Sequence, residues 1–155
     1  MCKEVFEALL SIKNFSHLTP ENTTVERLGG LTNRNYKFES ELGSFVLRLA
    51  GEGTGDYIDR KTELHNASIA SEAGVNAEII HFDVDSGTMI SRYIDNAVTL
   101  DIPGFRDPEV LKRTGMAFRA LHECGQPFLG RFELFDQIDQ YLSVLDGLGA
   151  DLPPG

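Results

Sequence analysis

Arg48 stands alone among apolar neighbours in FVLRLA, residues 45–50. Strand alternation puts Phe45, Leu47 and Leu49 on one face and Val46, Arg48 and Ala50 on the other. A guanidinium in that company needs an anionic partner or a cleft, because an unpaired buried charge is costly. Read alone, it also fits a solvated sheet face. Glu63 lies in DRKTELHNASIASEAG, where Arg60, Glu63, Ala67, Ala70 and Gly74 recur at three and four. The small residues of that stripe permit close approach to a sheet, and a glutamate among them can reach Arg48. Such a carboxylate would hold the planar guanidinium fork ready for a phosphate. Taken singly, Glu63 reads more readily as an ordinary helix-surface charge.

A third feature precedes these two. GGLTNRN, Gly29 to Asn35, has neither the GxGxxG spacing of a dinucleotide fingerprint nor the GxxxxGK[ST] of a P-loop. It falls between two expected strands, which argues against a phosphate site at a helix N-terminus. Its backbone N–H groups, with the side chains of Thr32 and Asn33, can still lie over a phosphate. A plain hairpin connection accounts for the glycines as well. His17, His65, His81 and His122 are scattered, without HExxH, and Cys2 and Cys124 lack metal-ligand spacing. The two cysteines read as reduced thiols.

The elements that must position these residues follow from periodicity. Residues 3–12 form a short helix with Val5, Phe6, Leu9 and Leu10 inward. Residues 23–28, 35–40 and 45–50 alternate as three successive antiparallel strands, with a turn at Leu42-Gly43. A glycine-rich loop over 51–57 leads to a helix from Asp59 to Ala73, ended by Gly74. Residues 77–84 and 88–94 are two more strands, joined by a turn at Asp85-Ser86-Gly87. The sum is an α+β fold, a five-stranded antiparallel sheet with a helix on one face. Residues 95–108 are irregular. Helices follow over 107–122, with Leu111, Met116, Phe118 and Leu121 apolar, and over 134–148, with Phe135, Ile138, Tyr141, Leu142 and Leu145 apolar.

The 155 residues suit one domain, or one domain and part of another, and a 41% apolar content supports a packed core. A net charge of −10 disfavours nucleic acid and anionic membrane as partners. The sequence has no apolar run long enough to span a bilayer, and its N-terminus lacks the pattern of a signal peptide. The cytoplasm is the expected location.

From about Thr24 onward the chain resembles the choline kinase and aminoglycoside phosphotransferase branch of the protein-kinase-like fold, and bacterial choline kinase-like proteins in particular. The likeness is densest in LGGLTNRNYKFE, FVLRLAG and YIDRKTELHNASIASEAGV, and extends to MAFRALHECG and GRFELFDQIDQYL. It implies that residues 1–94 are an N-terminal helix and a kinase-like ATP-binding small lobe with an αC-like helix. Residues 95–155 would be a hinge and the first helices of a truncated large lobe.

By the same resemblance, Gly29, Gly30, Leu31, Thr32 and Asn33 form the nucleotide loop, Arg48 contacts ATP phosphates, and Glu63 pairs with it. In MISRYID, the Arg92 carbonyl and the Ile94 N–H would read adenine, with Met89 or Tyr93 lining its pocket. The family's large lobe carries a His-Gly-Asp type motif and a later metal-binding aspartate. Neither occurs here, and Asp83 and Asp85 in DVDSG sit in a hairpin turn rather than in those places.

The implied activity of the parent protein is transfer of the ATP γ-phosphoryl group, with Mg, to a small alcohol. Choline leads, then ethanolamine, with thiamine or an aminoglycoside as further acceptors. This chain itself, lacking catalytic and metal residues, is expected to be inactive alone. A non-catalytic nucleotide-binding or regulatory module is the alternative. A homodimer through the last two helices fits either reading.

Overall fold

The computed structural model describes residues 3–150 apart from 52, 57 and 132. Cys2 and the terminal DLPPG lie outside the described residues; Cys124 is a free thiol.

Alternating apolar residues build the sheet. Strands β1 (Thr24–Arg27), β2 (Arg34–Ser40), β3 (Gly43–Leu49), β4 (Ile79–Phe82) and β5 (Met89–Arg92) pair antiparallel in the order β1-β2-β3-β5-β4. Most are slightly shorter than alternation predicts, because pairing stops where the chain turns away. The β2–β3 turn falls on Glu41-Leu42, one residue earlier than expected, and Gly43 takes φ 114° just after it. That backbone region disfavours any residue with a Cβ.

Register aligns Tyr36 with Leu47 and Phe38 with Phe45, so one face of the sheet is a continuous apolar surface. The N-terminal segment covers it. Helix α1 (Lys3–Ser11) buries Val5 and Leu9. The chain then tightens into successive turns and buries Ile12, Phe15 and Leu18. The bonds Phe15 N→Ile12 O (2.8 Å) and Leu18 N→Phe15 O (3.0 Å) give this stretch its three-residue repeat. Phe15 meets Phe38 and Phe45 edge-on, with ring centroids 5.6 and 5.3 Å apart. Leu10, expected inward, is 59% exposed. The change from a 3.6- to a 3-residue repeat moves the buried stripe to positions 12, 15 and 18. The Glu4 carboxylate accepts from the Tyr36 hydroxyl and lies 3.0 Å from Arg34 Nη1, tying α1 to β2. The expected N-terminal helix thus covers one face of the sheet, and the internal helix lies on the other.

Helix α2 (Arg60–Glu72) sits on the other face. Its N-cap Asp59 accepts from the Thr62 hydroxyl at 2.9 Å and from the backbone N–H groups of Thr62 and Lys61 at 3.3 and 2.9 Å, and these bonds hold the Asp59 carboxyl below its ordinary pKa. Gly74, at φ 73°, follows the C-cap.

After β5 come an irregular stretch, then α3 (Pro108–His122), capped by Asp107, and α4 (Leu134–Gly147). The segment between α3 and α4 lies along α2. The Asn66 amide exchanges two bonds with the Leu129 backbone, at 2.9 and 2.8 Å. His65 meets the Pro127 carbonyl, and Gln126 donates to Glu72 at 2.8 Å. No helix among the described residues is long and apolar enough to cross a membrane.

Candidate functional site

Pairing places Arg48 between Asn35 of β2 and Met89 of β5, on the face turned away from Phe38 and Leu47. Its Nη1 donates to Glu63 Oε1 at 2.5 Å and its Nη2 to the Gly87 carbonyl at 3.2 Å. Nε is buried with no hydrogen-bond partner. The guanidinium carbon lies 5.6 Å from the Phe82 ring centroid. Arg48 and Glu63 thus meet across strand and helix, the arrangement that alternation and helical rhythm permit.

Glu63 has a second partner that the sequence reading left without a role. Arg60 Nη1 donates to Glu63 Oε2 at 2.7 Å, and Arg60 Nη2 donates to Thr54 Oγ1 at 2.5 Å. Arg60 is only 8% exposed. One carboxylate therefore lies between two guanidiniums, leaving one positive charge in excess. Burial pushes the Glu63 carboxyl up, but the hydrogen bonds and charges of Arg60 and Arg48 outweigh it and hold the group below its ordinary pKa. The available signal was position, since Arg60 precedes Glu63 by one step of the same helical stripe.

Gly87 makes this packing possible. A Cβ there would lie 2.7 Å from Arg60 Nε and 2.8 Å from its Cζ, and the residue takes φ 70°. Its turn is fixed by Asp83, which accepts from Ser86 Oγ at 2.6 Å and from Asp85 N at 3.0 Å. Asp83 is therefore engaged in the turn.

The loop at 29–33 is pinned at both ends. Asn35 Nδ2 donates to the Gly29 carbonyl at 3.0 Å, and Asn33 Oδ1 accepts from the Gly51 N–H at 3.2 Å. A Cβ on Gly30 would lie 2.4 Å from the Asn33 carbonyl oxygen, and one on Gly51 would lie 2.2 Å from that of Thr32. Close approach, not a left-handed backbone, accounts for these two glycines. Gly29, Gly30, Leu31 and Thr32 are exposed and Asn33 is half-buried, with the Leu31 side chain at the outer tip.

Met89 shares the face of Arg48, and alternation carries that face through Ser91 to Tyr93. The Lys37 ammonium lies 4.3 Å from the Tyr93 ring centroid. Arg92 turns its side chain to the opposite face, 4.8 Å from the Phe45 ring and paired with Glu78 at 3.3 Å. The Arg92 and Tyr93 N–H groups go to the Glu78 and Ser44 carbonyls. The Ile94 side chain is exposed. The structure thus gathers the 29–33 loop, Arg48, Glu63 and Met89 at one end of the sheet. Arg92, Tyr93 and Ile94 leave β5 at the other end, about 13 Å along the strand from Met89. A cavity of about 350 Å³ between α2, Val84 and Gln126, lined by Lys61, His65, Ser68 and Glu72 among others, does not include Arg48. Among the described residues, no group of three or more His, Cys, Asp or Glu side chains could hold a metal ion.

The five-stranded antiparallel sheet with flanking helices, followed by further helices, is the small lobe of the protein-kinase-like fold as it occurs in choline kinases. No family model matches the chain. It is similar to a choline/ethanolamine kinase family protein from Mesorhizobium loti, with 40% identity, 98% of this chain and 48% of that one covered, and a TM-score of 0.75. It is also similar to LicA crystallised in complex with AMP, with 26% identity, 91% of this chain and 48% of that one covered, and a TM-score of 0.69. Protein LicA of Haemophilus influenzae is 29% identical over 136 residues, which are 88% of this chain and 40% of that protein. In sequence and in fold, the likeness is to the choline/ethanolamine kinase family. The chain spans about half the length of the solved structures it matches.

Proposed function

We propose that this chain supplies the ATP-binding lobe of a cytoplasmic phosphotransferase that moves the γ-phosphoryl group of ATP to a small alcohol, choline first and ethanolamine second. The observation that carries the reading is Arg48, held by Glu63 and the Gly87 carbonyl beside the 29–33 loop, on the sheet face that the core does not use. The similarity to a LicA protein crystallised with AMP supports a nucleotide at this lobe.

In this reading the backbone N–H groups of Gly29 to Asn33 cover the phosphates and Arg48 offers them charge-assisted hydrogen bonds. Glu63 orients Arg48. Of the two residues expected to line the adenine pocket, Tyr93 takes that place, since Met89 lies beside Arg48 at the phosphate end; the Arg92 carbonyl and Ile94 N–H meet the base edge. The boundary between this lobe and the following segment falls after Ile94. Magnesium would offset phosphate charge in such a reaction, and among the described residues no group of three or more His, Cys, Asp or Glu side chains could hold it. With no His-Gly-Asp type motif in its sequence to supply the carboxylate that orients an acceptor hydroxyl, the chain should bind ATP without transferring its phosphoryl group. Incubation of the purified chain with ATP, magnesium and choline tests this. Bound ATP without phosphocholine is expected, whereas robust phosphocholine formation would overturn it.

A further inference from the structure

We propose that Arg60 is a positioning residue that couples the 29–33 loop to the Arg48–Glu63 pair through Thr54 and Gly51. The inference rests on the reading of that loop as a nucleotide loop, but the coupling is a property of the chain without nucleotide. An unbroken series of hydrogen bonds supports it. Arg60 holds Glu63 at 2.7 Å and donates to the Thr54 hydroxyl at 2.5 Å. That hydroxyl donates to the Gly51 carbonyl at 2.7 Å, and the Gly51 N–H donates to Asn33 Oδ1 at 3.2 Å. Thr54 is 3% exposed and Arg60 8%, so water does not readily replace either partner. A hydroxyl has one proton, and here it points to Gly51 while its oxygen receives Arg60, which gives the chain of bonds a single direction. Glycine at 51 and 87 leaves room for both crossings.

The arrangement also answers a charge problem. When Arg48 shares its charge with a phosphate, it compensates the partly buried Glu63 carboxylate less fully, and an under-compensated charge there is costly. Arg60 keeps it paired. It cannot easily serve the phosphate itself, since both of its terminal nitrogens are engaged and the side chain is enclosed.

Amide hydrogen exchange on the full chain, without nucleotide, tests the coupling. Thr54→Val keeps the shape and removes the hydroxyl. It should speed exchange at the Gly51 amide, whose bond to Asn33 pins the 29–33 loop, by about tenfold, the loss of one buried hydrogen bond, with β2 and β3 unchanged. Thr54→Ser should restore the wild-type pattern. Should Thr54→Val fail to fold, Arg60→Lys, which keeps the charge but cannot span Glu63 and Thr54 together, should give the same response at Gly51. Unchanged Gly51 exchange in a folded Thr54→Val or Arg60→Lys chain would overturn the inference, as would equal disturbance by Thr54→Ser. An ATP titration of the same proteins separates the two readings. Failure of the wild type to bind ATP would overturn the nucleotide assignment, while Gly51 exchange alone would still decide the coupling.

Discussion

At the residue scale, the site is one carboxylate shared by two arginines. If Arg48 contacts phosphate, Arg48→Ala in the complete enzyme should lower catalytic efficiency by roughly tenfold to a hundredfold, the range for one partly desolvated charged hydrogen bond. Glu63→Gln keeps the shape and should lose less. The double variant should fall short of the product of the two, because both changes disable the same pair. Kinetics on all four proteins, with folding followed by circular dichroism, checks this; strict multiplicativity of two large losses would refute a shared function.

Acid titration gives a second prediction at this scale. The Glu63 carboxyl is held below its ordinary pKa. Its contribution to stability is therefore full above the pKa it has in the unfolded chain, and fades as pH falls through the lower, folded-state value. Glu63→Gln should lower stability at neutral pH and flatten its dependence on pH in the acid range, as read by thermal melts from pH 7 down to about pH 3.

Arg48 and Glu63 were legible because each follows from a local period, two for the strand and 3.6 for the helix. Arg60 appeared in the same stripe, but its role was not legible, since Thr54 and Gly51 reach it through a loop with no period. Gly51 and Gly87 read simply as turn residues, whereas their backbones are the crossing points of the network.

At the element scale, the N-terminal segment and the segment after α3 both act as fasteners. Phe15, Phe38 and Phe45 form the centre of the core. Phe38→Ala should cost about 3–5 kcal/mol, measured by urea unfolding; a loss below 1 kcal/mol would mean that α1 does not seal this face. On the opposite side, Asn66→Ala removes both bonds to Leu129 and should raise exchange at the Leu129 amide while leaving the β2–β3 amides protected. The sheet was readable almost strand by strand, because alternation is strong where one face is buried. The packing of residues 12–18 was not, because it follows a three-residue repeat that no helix or strand pattern signals. The strap from 126 to 130 joins positions far apart in the chain, and no local period reports such a contact.

At the scale of the whole molecule, α3 and α4 carry exposed apolar side chains, including Phe118 at 59%, Phe135 at 78% and Tyr141 at 59%. Apolar surface of this extent is characteristic of interfaces. The chain by itself should therefore self-associate through these helices, seen as a mass above 17.2 kDa in concentration-dependent light scattering. A monomer at high concentration would contradict that.

In the proposed function, one end of the sheet meets phosphate and the other meets the base. Calorimetric titration of the wild-type chain and Arg48→Ala with ATP and with adenosine tests it most directly. Arg48→Ala, still folded, should weaken ATP binding by roughly tenfold or more and leave adenosine binding unchanged. Equal ATP affinity in the two proteins, or an equal loss for ATP and adenosine, would contradict it.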